Sequence, residues 1–298
     1  MTTSARAESA ASVKKTPVST RRRRSILPER LHVHAFLWVV CLIVTFPVYY
    51  SVIVATQTSS EVYRYQFLPG NALADNWNIV MNIANLGQYM LNSVFVTLVV
   101  TIGKTILSLL AGLAFVYFRF PGKWIVFGFV LITLMMPTEI LILALVRLVN
   151  GFGWGSNDST AYLALTVPFL ASATGSFLFR QHFANIPAEL SEAAQLDGAR
   201  PLQFLFYVLV PMSWNTIGAL VVIQFIYVWN MYLWPAMAVQ GQERQVVQVG
   251  LRTLVSSDTG ISFGPLMLGA VIASIPPLLV FVVLQKQFMS GFALTRDK

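Results

Sequence analysis

AFLWVVCLIVTFPVYYSVIVA, residues 35–55, carries no charged side chain and is long enough to cross a bilayer. A membrane-spanning helix needs about 20 mainly apolar residues, whereas the apolar core of a cleaved secretory signal is about 7 to 15 residues long. The arginines at 21–24 imitate the basic start of such a signal, and RRRRSIL at 21–27 imitates a twin-arginine pattern. The length of the run that follows decides for an uncleaved first helix.

Five further runs downstream, at 88–118, 124–148, 161–179, 214–239 and 265–285, are likewise long and mainly apolar. Lipid offers backbone groups no hydrogen-bond partner, so a spanning segment is a helix or part of a closed barrel, and uniformly apolar runs of this length select helices. The expected fold is therefore all-α, a polytopic membrane protein with six transmembrane helices. Pro47, Pro137, Pro168, Pro276 and Pro277 fall within these runs, where each removes a helix hydrogen bond and favours a kink.

Composition agrees. The 298 residues are 56% hydrophobic and 11% charged, against about 25% charged in a soluble domain. A formal net charge of +8 could suit nucleic acid, but its placement argues for a membrane: eight of the twenty Lys and Arg precede His32. With the N-terminus inside, Arg119, Lys123, Arg180, Arg200, Lys286, Arg296 and Lys298 join them on that side. Only Arg64, Arg147, Arg244 and Arg252 fall outside, as the positive-inside rule expects of a protein with both termini cytoplasmic. Residues 1–30, rich in Ala, Ser, Thr and Arg, bury too little apolar surface to fold and are expected to be a disordered basic tail ahead of a transmembrane domain at 31–298. The lone cysteine, Cys41, excludes an internal disulfide and is expected to pack in its helix.

EAAQLDGARPLQFLFYVLVP, residues 192–211, interrupts the apolar pattern on the cytoplasmic side. Pro187 suits the first position of a helix and Glu189 then complements its dipole, so a short helix is expected over 187–196. Gly198 allows the left-handed turn that ends it, and Pro201 opens a second segment through Tyr207. Ala193 and Ala194 leave a face almost without bulk, flanked by the carboxylates of Glu192 and Asp197. Small residues permit close approach of another backbone, and the natural reading is a plug inserted into a groove of another protein. An amphipathic helix lying on the membrane is the bland alternative, but such helices carry Lys or Arg opposite large apolar residues.

Glu192-Ala193-Ala194, three residues, Gly198, nine residues, then VLVP ending at Pro211 resembles the EAA motif in the permease subunits of bacterial ATP-binding cassette importers. Val208 and Val210 stand where Ile and Leu are usual. FVYFRFPGK at 115–123, the stretch at 133–183 and YVWNMYLWP at 227–235 are similar to the carbohydrate-uptake branch, and most similar within it to the second permease of glycerol-phosphate importers.

The resemblance covers 30–298 and implies a type I importer permease fold in the bacterial inner membrane, with a cytoplasmic coupling helix in the loop at about 182–211. It implies as partners a homologous permease, two ATP-binding subunits and an extracytoplasmic solute-binding protein, with the lipid bilayer as solvent and no nucleic acid. Glu192 and Gly198 are carried over as coupling residues, with Asp197 and Arg200 beside them as charges available for salt bridges. The implied cargo is glycerol 3-phosphate or a glycerophosphodiester, with another sugar or oligosaccharide as the alternative. An ATP-independent transporter is the alternative from a different class, and it would have no use for this loop.

ATP is expected on the partner subunits, with its Mg²⁺, and no cofactor on this chain. The GKT triplet at 103–105 lies in an apolar run, with Leu98 where a phosphate loop needs a glycine. Enzyme readings lack support: His32, His34 and His182 form no HExxH pair, and no Gly-x-Ser-x-Gly elbow appears. His182 reads as a solvated or capping residue at the membrane face.

Ionisable residues inside spans are costly and mark functional candidates. Lys104 falls mid-span, Glu139 follows Pro137, and Arg147 lies eight positions further on. One reading pairs Lys104 with Glu139 for packing; the other gives Lys104 or Arg147 an anionic head group to attract. Trp229, Asn230 and Tyr232 cluster with Trp234 near the outer end of the fifth run. They read as an interfacial aromatic belt or, because of the amide of Asn230, as lining for a polyol path.

Overall fold

Apolar runs without backbone partners close their own hydrogen bonds, and in the computed structural model every regular element among the described residues, 31–255 and 262–293, is helical. The expected tail at 1–30 lies outside these residues. Four helical segments are long and apolar enough to cross a membrane: Leu31–Val54, Leu86–Tyr117, Ala161–Ala184 and Phe263–Gly291. Two bent pairs, Lys123–Met135 with Thr138–Gly151 and Pro201–Met212 with Trp214–Trp229, raise the number to six.

Three expected spans are corrected in detail. The third, expected to kink at Pro137, breaks at Met136-Pro137 into two helices and turns through 104°, because Pro137 supplies no N–H and pushes the preceding residue to extended backbone. The fourth is interrupted at Val167–Phe169 by a tight turn containing Pro168. The fifth ends at Trp229, and 233–238 forms a separate helix, Leu233–Ala238. Pro276 and Pro277 are accommodated inside Phe263–Ala293.

The contacts divide the chain at Pro47. Residues 31–47 are an apolar helical stretch with every residue exposed. Cys41 is exposed with the rest, against the expectation that it packs, since a single spanning helix needs only an apolar surface.

Within 48–293, Leu86–Tyr117 packs against Ala173–Ala184 and Trp214–Trp229, and the latter packs along Phe263–Ala293. Three apolar clusters hold these contacts. Val96, Val100, Ile142, Leu165, Phe169 and Trp234 form one, and Leu86, Tyr89, Phe225, Trp229 and Leu268 another. The third joins Leu109, Leu113, Phe179 and Phe183 to Phe204, Leu205 and Leu209.

Dispersion rather than water exclusion drives helices together in lipid, so small residues mark the closest approaches. A Cβ on Gly112 would stand 2.7 Å from Cβ of Phe179 and 3.1 Å from its carbonyl carbon.

A polar latch fixes the loop before Val247–Thr253. The Asn92 amide, 1% exposed, donates to the carbonyls of Glu243 and Gln245 at 2.8 and 2.9 Å. Its Oδ1 accepts from Tyr162 at 2.8 Å and Gln88 at 3.1 Å, and Ser93 Oγ accepts from Val247 N–H at 2.7 Å. Asn92→Leu keeps the branched shape of the side chain and strands these groups. It is expected to cost about 2 kcal/mol, read as a lower thermal midpoint of the purified protein and faster amide exchange at 245–249.

Candidate functional site

Helix Ala188–Leu196 follows Pro187, which occupies the N-cap with extended backbone, so the helix begins one residue later than the sequence reading has it. Three N–H bonds end it: Asp197 to Ala193, Gly198 to Gln195 and Ala199 to Ala194, at 3.0, 3.1 and 2.9 Å. This is a Schellman motif, and it requires the left-handed residue after the cap that Gly198 supplies with φ +72°.

The chain then turns, Gln203 Oε1 accepts from the Arg200 backbone N–H at 2.7 Å, and Pro201 opens the second segment. That segment runs further than the expected end at Tyr207. It continues through a wide π-helical turn, Leu205–Leu209, into Val210–Met212. Pro211 therefore lies inside the hairpin's second arm rather than closing it.

The two arms have opposite environments. Glu192, Ala193, Asp197, Gly198 and Arg200 are exposed, and Ala194 is half-buried. Leu196 and Tyr207 are 89% and 80% exposed. Phe204, Leu205 and Leu209 are buried in the cluster with Phe179 and Phe183. A cavity of about 250 Å³ lies beneath the hairpin, walled by Leu113, Tyr117, Ala194 and Phe204. The hairpin thus has one exposed arm and one arm rooted in the helix core.

A larger cavity of about 760 Å³ is lined by Lys104, Thr133, Thr138, Ser172, Gln224 and Tyr227 among others. The break at Pro137 and the turn at Pro168 bring these walls together, since Thr138 and Ser172 each lie just beyond a break. Lys104 Nζ donates to Gln224 Oε1 at 3.0 Å and sits 4.9 Å from the Tyr227 ring centre. Gln224 in turn donates to Ser172 Oγ at 3.4 Å, and Ser172 caps the following helix by accepting from Gly175 N–H.

Several sequence expectations are corrected here. Lys104 meets Gln224 and Tyr227, not Glu139, which is exposed and does not line the cavity. Arg147 is likewise exposed and off the cavity wall. Trp229 belongs to neither belt nor path: it is 2% exposed, stacked on Phe225, and donates to the Ala273 carbonyl at 3.1 Å. Asn230 follows the helix end and donates to the Ile226 carbonyl at 2.8 Å, while Tyr232 Oη accepts from Arg252. His182 is half-buried, with Nδ1 3.3 Å from Thr216 Oγ1, rather than solvated. Gln224 and Tyr227 escaped the sequence reading, although a glutamine in mid-span is a signal, because its amide needs partners in lipid.

Residues 104–292 match the family described as binding-protein-dependent transport system inner membrane component, and the chain belongs to that family. It is a multi-pass inner-membrane permease component of an ABC importer, a class that works with a further permease, ATPase subunits and a binding protein.

Among its relatives is the sn-glycerol-3-phosphate transport system permease protein UgpE of Brucella melitensis, 37% identical over 273 residues, covering 88% of this chain and 95% of that one. The UgpE proteins of Agrobacterium fabrum and Pectobacterium atrosepticum are 37% and 36% identical, covering 89% and 87% of this chain and 96% and 94% of theirs. The fold recurs in the crystal structure of a bacterial ABC transporter involved in import of the acidic polysaccharide alginate. That match has a TM-score of 0.73 at 22% identity and covers 87% of this chain and 95% of the other.

Proposed function

We propose that this chain and a homologous permease together form the path for glycerol 3-phosphate or glycerophosphodiesters across the bacterial inner membrane. The observation that carries the reading is the exposed hairpin rooted in the core, in a chain whose relatives named for sn-glycerol 3-phosphate cover nearly its whole length.

The termini and the hairpin face the cytoplasm, as the charge bias supports. Two ATP-binding subunits dock there, each taking the coupling hairpin of one permease, and they hold ATP and Mg²⁺. Glu192, Ala193, Ala194, Asp197, Gly198 and Arg200 form the docking face, and the arm ending near Pro211 carries the motion to Phe179 and Phe183. A solute-binding protein delivers cargo on the outer side. The work done by this chain is mechanical: closure of the ATPases moves the hairpin, and the bundle alternates its access. ATP chemistry is left to the partners, in keeping with Lys104 of the GKT triplet lying mid-helix in Leu86–Tyr117.

Co-expression with the neighbouring permease, ATPase and binding protein tests this. The reconstituted complex is expected to hydrolyse ATP several-fold faster with glycerol 3-phosphate or glycerophosphoglycerol than without, and to ignore maltose. Stimulation by a neutral sugar alone would overturn the cargo, and failure of any ATPase to copurify would overturn the class of partner.

A further inference from the structure

Lys104 is 6% exposed, yet it lies on the wall of the cavity of about 760 Å³. A buried cation in a membrane protein ordinarily finds an anion, but the partners given to this ammonium are a dipole and a π face, Gln224 Oε1 and the Tyr227 ring. Both orient the ammonium and neither neutralises it. An ammonium has three donors, and Gln224 takes one.

Gln224 is itself held by Ser172, so the acceptor is fixed before any ligand arrives. Among the described residues that line the cavity, Lys104 is the one charged side chain; the remaining polar groups include the hydroxyls of Thr133, Thr138 and Tyr227. Tyr227 Oη lies 3.4 Å from Thr138 Oγ1. The cavity thus offers one positive charge and a neighbouring set of neutral hydroxyls.

Resting on the transport reading above, we infer that Lys104 is the phosphate-binding group of the translocation cavity and that its single charge suits a monoanionic phosphodiester with polyol hydroxyls. A phosphate monoester carries about −1.5 to −2 at neutral pH and would leave negative charge uncompensated in a low-dielectric site. A phosphodiester is also the linkage of a phospholipid head group, so the test separates soluble cargo from lipid.

The complete importer is reconstituted with its binding protein in phosphatidylcholine vesicles, with and without phosphatidylglycerol. Uptake of labelled glycerophosphoglycerol and glycerol 3-phosphate is measured at limiting concentration. Lys104→Met is expected to lower uptake of both by about 10- to 100-fold, the range for losing a charged hydrogen bond, in either lipid. Lys104→Arg, which keeps the charge, is expected to stay within a few-fold of wild type and covers the case in which the Met variant does not assemble.

Ala144→Lys adds a second ammonium to the cavity wall and is expected to shift the uptake ratio several-fold toward the monoester, with the binding protein unchanged. An assembled Lys104→Met complex that transports both anions like wild type overturns the inference and leaves the transport reading standing. An effect of Lys104→Met seen only with phosphatidylglycerol assigns the residue to lipid and also overturns it. An unchanged ratio in Ala144→Lys overturns the single-charge preference. Wild-type protein that carries neither anion removes the glycerol-phosphate cargo on which the inference rests.

Discussion

Gly112→Val is expected to leave little folded protein in the membrane. The position is a close approach between Leu86–Tyr117 and Ala173–Ala184, and a Cβ there already lies 2.7 Å from Phe179 Cβ and 3.1 Å from Phe183 Cδ2. Phe179 and Phe183 are both fully buried, so neither side chain has space to retreat. Either the helices separate, which opens the cluster that roots the hairpin, or the aromatic rings leave their rotamers. Overpacking of this kind costs about 3 kcal/mol, a large share of a typical stability of about 5 to 15 kcal/mol. Gly128→Val is the control, since a Cβ on Gly128 meets nothing within 4 Å. Yield of monodisperse protein and its thermal midpoint should fall for the first and hold for the second; equal yields would mean that this helix contact is looser than it looks.

Gly198→Val is expected to uncouple the transporter without unfolding it. Gly198 has φ +72°, and a Cβ there meets nothing within 4 Å, so the substitution creates strain and no clash. Left-handed backbone costs an L residue about 1 to 2 kcal/mol, more for a β-branched one, and the turn relieves it by reorienting Ala188–Leu196 against the second arm. The new side chain also projects from the face proposed to enter the ATPase. Substrate-stimulated ATP hydrolysis should drop at least about tenfold, two contacts' worth of roughly 1 kcal/mol each being sufficient. The protein alone should keep a thermal midpoint near wild type. Unchanged stimulation would show that the turn is not read by a partner.

The sequence pattern revealed the number and character of the spans because lipid leaves an apolar run of this length few alternatives to helix. The Schellman turn was equally legible, since Gly198 follows a short helix and precedes Pro201. What stayed hidden depended on residues far apart in the chain. The partner of Lys104 lies 120 positions away, at Gln224, whereas Glu139 was the tempting carboxylate nearby. Trp229 resembled a belt residue from its neighbours Asn230 and Tyr232, but its indole N–H is satisfied by the Ala273 carbonyl, 44 positions on. Pro137 announced a break, yet only packing turns that break through 104° and sets Thr138 on a cavity wall.

Substrate-stimulated ATP hydrolysis by the reconstituted complex, wild type against Glu192→Ala, bears most directly on the central claim that this chain couples transport to ATP through its hairpin. Glu192 is exposed and outside the buried clusters, so its loss should spare the fold. The account predicts that the complex still assembles and that glycerol 3-phosphate no longer stimulates hydrolysis. Full stimulation in the assembled variant would contradict it.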